Sequence, residues 1–120
     1  MIKLLSGRLR YLAILTLLMG FTALADDPTL IATASAMARA TKKVSPDYPM
    51  AAKQLNVTGQ QEVSIVVDLQ GGVEDAKVIK GNAMFTQASL AAARQWKFTP
   101  LTKDGQPIRF SAVIIFNYAR

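Results

Sequence analysis

"QEVSIVVDLQGGVEDAKVIKG", Gln61 to Gly81, is the stretch whose reading decides the fold. Val63, Ile65, Val67 and Leu69 alternate with Glu62, Ser64, Val66 and Asp68, the two-residue period of a strand with one buried face. Gly71-Gly72 then supplies the positive φ that two-residue hairpin turns demand. A loop of even length keeps Val63, Ile65 and Val67 on the same face as Ala76 and Val78 of the returning strand, so pattern and turn predict one register. A phosphate cradle at the glycine pair is set aside, because no helix opens after it and no basic residue follows at the motif's spacing.

Downstream, "PIRFSAVIIFNYAR", Pro107 to Arg120, alternates again. Ile108, Phe110, Ala112, Ile114, Phe116 and Tyr118 form an apolar register, while Arg109, Ser111, Val113, Ile115 and Asn117 form a mixed one. Between the two patterns, "GNAMFTQASLAAARQWKF", Gly81 to Phe98, predicts a helix with Thr86 as its N-cap and Phe85 stapled onto Leu90. Ala88, Ala92 and Trp96 share one stripe of that helix, small enough to let its axis approach a sheet. Trp96 is therefore expected in the core, with Phe98 packing from the far side of the turn and Pro100 preventing helical continuation. Asp104-Gly105 reads as turn chemistry. Upstream, in "SPDYPMAAKQLNVTG", Ser45 to Gly59, Pro49 can open a short helix whose apolar side is Ala51, Ala52 and Leu55, with Gly59 releasing the chain. The order helix, hairpin, helix, strand predicts an α+β domain of helices on a small three-stranded antiparallel sheet.

The first residues carry a different pattern. Lys3, Arg8 and Arg10 precede the apolar run Tyr11 to Phe21, and Ala23-Leu24-Ala25 has the small-x-small form of a cleavage site, so residues 1–25 read as a secretory signal peptide. The run falls short of the roughly 20 apolar residues that a spanning helix wants, which makes a retained anchor the lesser alternative. The expected organisation is a signal peptide at 1–25, a tether or loosely docked helix at 26–43, and a folded domain at 44–120. Three of the 14 basic residues and none of the eight acidic ones precede Asp26, so the rest of the chain balances at 11 against 8, or +3, rather than the +6 of the whole. The remaining lysines and arginines are scattered, unlike the clustered, aromatic-interleaved face of a nucleic-acid binder. With no cysteine, an exported domain must be held by packing alone, which suits a periplasm.

Catalysis lacks its usual materials. The chain has neither histidine nor cysteine, which removes the common general base, the thiol nucleophile and the soft metal ligands, so no metal and no cofactor are expected. Glu74 and Asp75 are neighbours in a strand and point to opposite faces, so they cannot act as an acid–base pair. Lys77 and Lys97 have no base placed beside them. The expectation is a protein that binds rather than an enzyme, and its instrument is a sheet edge, whose unpaired N–H and C=O groups can accept an added strand.

The quoted segments, taken in order with Tyr48-Pro49, Gly59, Val67-Asp68, Trp96-Lys97-Phe98, Pro100, Gly105, Pro107 and the closing "VIIFNY", resemble the C-terminal domain of the TonB energy transducers from about Ser45 to Tyr118. That resemblance implies a three-stranded antiparallel sheet with two helices packed on one face. It also implies that the last strand, about Ile108 to Tyr118, is the edge that pairs with a segment of an outer-membrane transporter. Transducers of the family carry an uncleaved membrane helix with a histidine and a long proline-rich arm, whereas this chain has no histidine and a tether of about eighteen residues, reaching roughly 25 Å, so a membrane-anchored energy transducer is the alternative only with the leader uncleaved.

The partner-binding residues expected on this reading are Arg109, Ser111, Val113, Ile115 and Asn117, with backbone hydrogen bonds supplying the hold and the side chains tuning specificity. Val66 and Ile79 are expected on the same face as Val113 and Ile115, as an apolar patch that is either an interaction surface or covered by the N-terminal segment. The partner is a protein, either a transporter segment or a second copy in an edge-to-edge dimer, and nucleic acid is not among the candidates.

Overall fold

The computed structural model describes residues 27–120, so the leader expected at 1–25 lies outside the described residues. In chain order these residues form β1 (Thr29–Leu30), α1 (Thr33–Arg39), β2 (Ala40–Lys42), α2 (Met50–Gln54), β3 (Gly59–Val67) and β4 (Val73–Lys80). A 3-10 turn (Ala83–Phe85), α3 (Thr86–Arg94), β5 (Lys97–Phe98), β6 (Leu101–Lys103), β7 (Gln106–Ile108) and β8 (Phe110–Tyr118) follow. The fold is α+β, with one main sheet in the order β1-β8-β3-β4. β3 pairs antiparallel with both β4 and β8, and β1 lies parallel to the start of β8.

The expected hairpin register holds, since Val63 faces Val78 and Ile65 faces Ala76. Its turn is built differently from a two-residue glycine pair. The Asp68 carboxylate accepts the N–H groups of Gln70 and Gly72, each at 2.9 Å, and the register shifts beside Val67, so the loop is longer and a bulge restores the pairing. Gly71 has φ +92°, and a Cβ there would sit 1.9 Å from the carbonyl oxygen of Phe98, whose own N–H donates to the Gly71 carbonyl at 2.8 Å. The first glycine is thus needed for the close docking of this turn on β5 as well as for its backbone conformation.

α3 packs across β4 and β3. Thr86 is not its cap: Thr86 is already helical, and the Asn82 side chain accepts from the Met84 N–H at 2.8 Å to open the preceding 3-10 turn. Asn82 serves because its short amide reaches the backbone two residues on. Phe85 is fully buried and stacks on Tyr118 with ring centroids 4.0 Å apart. The buried stripe of α3 is Ser89, Ala92 and Ala93, running on to Trp96, with Ala88 at its half-buried margin. In α2 only Ala52 is buried, whereas Ala51 and Leu55 are exposed, because five residues make little more than one turn and present one position to the core. Asn56, at φ +54°, ends that helix in place of Gly59.

Residues 27–43, expected as a tether or a loosely docked helix, are docked along their length. β2 pairs with β5, the Thr99 N–H donates to the Arg39 carbonyl at 2.8 Å, and Ala36 is buried in the core. Two further differences follow. The sheet gains a fourth, parallel strand of two residues, and a hairpin, β6 with β7, turns at Asp104 and Gly105, both at positive φ. The described residues carry three α-helices instead of two, none long and apolar enough to cross a membrane.

The core lies between the sheet and these elements. Val63, Ile65, Val67, Phe110, Ala112 and Ile114 are at most 1% exposed, and each large side chain removed from water in this way stabilises the fold by about 1.5–3 kcal/mol. Trp96 and Phe98 are buried as expected. The indole N–H donates to the Val44 carbonyl at 2.8 Å, and the ring meets Phe116 edge-on at 5.9 Å. Trp96 therefore ties the chain leaving β2 to the underside of β8.

Candidate binding edge

β8 is the strand that the sequence singled out, and its alternation is kept through all nine residues. Phe110, Ala112, Ile114, Phe116 and Tyr118 are buried, while Ser111 and Val113 are half-buried and Ile115 and Asn117 exposed. At its far end the Tyr118 hydroxyl pairs with the Ser89 hydroxyl at 2.8 Å. Burial pushes the Tyr118 phenol above its ordinary pKa, with the Ser89 hydrogen bond opposing the shift and the negative charge of Asp47 adding to it.

Because neighbouring residues of a strand direct their backbone groups to opposite sides, the odd-numbered residues of β8 turn theirs away from β3. The five expected partner-binding residues, Arg109, Ser111, Val113, Ile115 and Asn117, are all of this set, and the structure brings them into one row. It does not leave them equally available. The Thr29 N–H donates to the Arg109 carbonyl at 3.1 Å, the Ile31 N–H to the Ser111 carbonyl at 2.9 Å, and the Thr33 hydroxyl to the Val113 carbonyl at 2.8 Å. Three successive outward acceptors are thus taken by the chain's own residues 29–33. Each such bond contributes roughly 0.5–1.5 kcal/mol net, so the hold is real but shallow. Among the described residues β8 is accordingly a sheet edge only beyond Val113, and the expectation of an open edge from Ile108 to Tyr118 is corrected for its first half.

The side chains of the row differ in the same direction. Arg109 donates from Nε to Glu74 at 2.6 Å in a part-exposed ion pair of the kind that contributes about 0–1 kcal/mol. Ser111 faces Val66 and Val113 faces Ser64 across the sheet, while Ile115 faces Glu62 and Asn117 faces Gln60. Of the expected apolar patch, Val66 and Val113 are half-buried, and Ile115 and Ile79 remain 45% and 54% exposed, so the N-terminal segment leaves those two uncovered. Ile79 lies where the β3·β4 register shifts, out of line with the others. A cleft of about 310 Å³ opens where the N-terminal segment enters, between Asp27, Thr29, Leu69, Lys103 and Arg109. Among the described residues no three carboxylates gather into a metal-binding group.

Thr29, Ile31 and Thr33 were missed from sequence. A signal was present: three β-branched residues at every second position directly after Pro28, in "PTLIAT". Pro28 locks only its own φ, at a value that extended backbone allows, and the β-branched side chains after it favour continuing in that form.

What these features define is a small α+β domain built around a partly open strand edge. The chain belongs to the family described as Gram-negative bacterial TonB protein C-terminal, which matches residues 44–119. It is 30% identical over 87 residues to a protein named Protein TonB from Vibrio cholerae, covering 71% of this chain and 32% of that one. A Protein TonB from Xanthomonas campestris pv. campestris is 34% identical over 76 residues, covering 62% of this chain and 34% of that one. The chain thus spans about a third of the length of the relatives it matches. Among solved structures, the TonB C-terminal domain of Pseudomonas aeruginosa, determined in solution, superposes with a TM-score of 0.57 at 21% identity, covering 68% of this chain and 85% of that one. That likeness bears on the fold, which is the one expected from the sequence apart from the added strand and helix.

Proposed function

We propose that this domain is a non-enzymatic, periplasmic binding module that recruits an extended segment of a partner protein by adding it as a strand to β8. The partner that fits the family is a TonB-dependent outer-membrane transporter, and the role is a TonB-like one in transport across that membrane. The observation that carries the reading is the pair Ile115 and Asn117: among the described residues no strand lies beside their outward backbone, and their side chains are the exposed ones of β8. An added strand gains backbone hydrogen bonds there whatever its sequence, and the alternate side chains Val113, Ile115 and Asn117 set which sequence is preferred.

The chain contains no cysteine, so Asn117→Cys gives a single thiol at this edge. Oxidative crosslinking to cysteines placed one at a time along the periplasmic segment of a TonB-dependent transporter should give products at every second position, the period of a paired strand. Ile115→Pro removes an outward N–H without touching the β3 ladder, and should abolish those products. A folded Ile115→Pro protein that still crosslinks as before sinks the reading, and crosslinks only between two copies of Asn117→Cys replace it with a dimer.

A further inference from the structure

The structure assigns residues 29–33 a role that the binding reading does not require: they are an internal strap seated on the edge that an incoming strand would use. The inference rests on β8 being that edge, and it concerns how much of the edge is available. With the strap in place, an added strand can pair only beyond Val113. With it lifted, the outward groups from Arg109 to Asn117 form one continuous run.

The strap is built to come away while the chain behind it stays. Thr29 and Leu30 are exposed, Leu30 at 74%, so they are held by backbone bonds, and the half-buried Ile31 adds the strap's apolar contact with the core. α1, which follows, has no side-chain cap at its N-terminus, and its seven residues are too few for a helix to persist without its packing on β8. Further on the attachment strengthens: Ala36 is 1% exposed, β2 is paired with β5, and Val44 accepts the Trp96 indole N–H. The division between the loose and the firm part falls at Thr33 to Ala36. The strap lies wholly before Val44, where the match to the family begins.

Two features make it a competitor and not merely a cover. It uses the same backbone acceptors that a partner strand would, at Arg109, Ser111 and Val113, and it occupies them in register at 3.1, 2.9 and 2.8 Å. It also stops short, leaving Ile115 and Asn117 as a place where a second strand can begin pairing before the first has left. Partner affinity is then set in part by the strap's own hold.

A labelled peptide of the chain's own residues 27–35 tests this, measured by fluorescence anisotropy against the full chain and against Thr29→Pro/Ile31→Pro, which lacks the strap's two backbone donors. The double variant should bind the peptide at least ten-fold more tightly than the unaltered chain, and a peptide carrying the same two prolines should bind neither. Thr33→Val, which removes one hydroxyl and leaves the backbone intact, should fall between the two and serves if the double variant does not fold. Equal affinity for the unaltered and unstrapped chains, or no binding to either, overturns the strap. The transporter crosslink at Asn117→Cys answers a separate question: its failure beside a ten-fold gain for the peptide keeps the strap and removes only the assignment of the partner.

Discussion

The first half of β8 and the second half share one alternation of buried and outward residues, yet their outward backbones have opposite fates. From Arg109 to Val113 each outward carbonyl holds a donor from residues 29–33, whereas from Ile115 to Asn117 no strand of the described residues lies alongside. Side-chain pattern cannot distinguish the halves, since both read as apolar inside and mixed outside. What separates them is whether another piece of the same chain reaches the strand's free side, and a sheet edge is defined by that reach more than by its own residues.

The contrast can be broken most severely from beneath. Trp96 packs under β8 against Phe116 and holds Val44, so Trp96→Ala should cost about 3–5 kcal/mol in denaturant titration. It should also speed hydrogen exchange at the Thr29 and Ile31 amides, erasing the difference between the two halves. A loss below about 1 kcal/mol would mean that the tryptophan is not holding the core. A smaller cut sharpens the contrast: Thr33→Val leaves the backbone in place and removes one donor, with an expected loss of roughly 1 kcal/mol. Equal stability of the two proteins would show that the third bond of the strap contributes nothing.

The smallest effect lies at the strand's far end. The phenol of Tyr118 is raised above its ordinary pKa, chiefly by burial, so the unfolded chain ionises first as alkali is added. Stability should be fully present below the ordinary tyrosine value near 10, and should be lost as pH rises from there through the folded-state pKa. Tyr118→Phe should flatten that decline, seen as a smaller difference between denaturation midpoints at about pH 8 and about pH 11. A decline as steep as in the parent protein assigns it to other groups.

Much of the molecule could be read from its residues where the reading depended on periodicity. The β3·β4 register, the buried set of β8 and the placing of Trp96 followed from alternation and helical spacing, because a buried face imposes those periods on the sequence. The misplaced features depend on single contacts. Asn82 rather than Thr86 opens the helical segment after β4, Asn56 rather than Gly59 ends α2, and Asp68 gathers the hairpin turn that Gly71-Gly72 alone was expected to make. The strap was the costliest omission. Two residues of strand leave only the short alternation of Thr29, Ile31 and Thr33, and what holds them is a strand some 80 residues further along the chain. The five candidate residues were found as a row, but the division of that row into an occupied and an open part was not legible.

The Thr33 to Val113 bond joins positions 80 residues apart. As the chain emerges in order, the strap is among the first described segments made and its seat the last. β3 and β4 can form their hairpin from neighbouring sequence, while β8, placed between β3 and β1, must wait for the final residues. Contacts of such long separation close a large loop, which slows their formation more than it weakens them. Loop closure therefore favours an order from the hairpin to β8 and then to the strap, and along that order the whole outward run of β8 stays open until the strap docks.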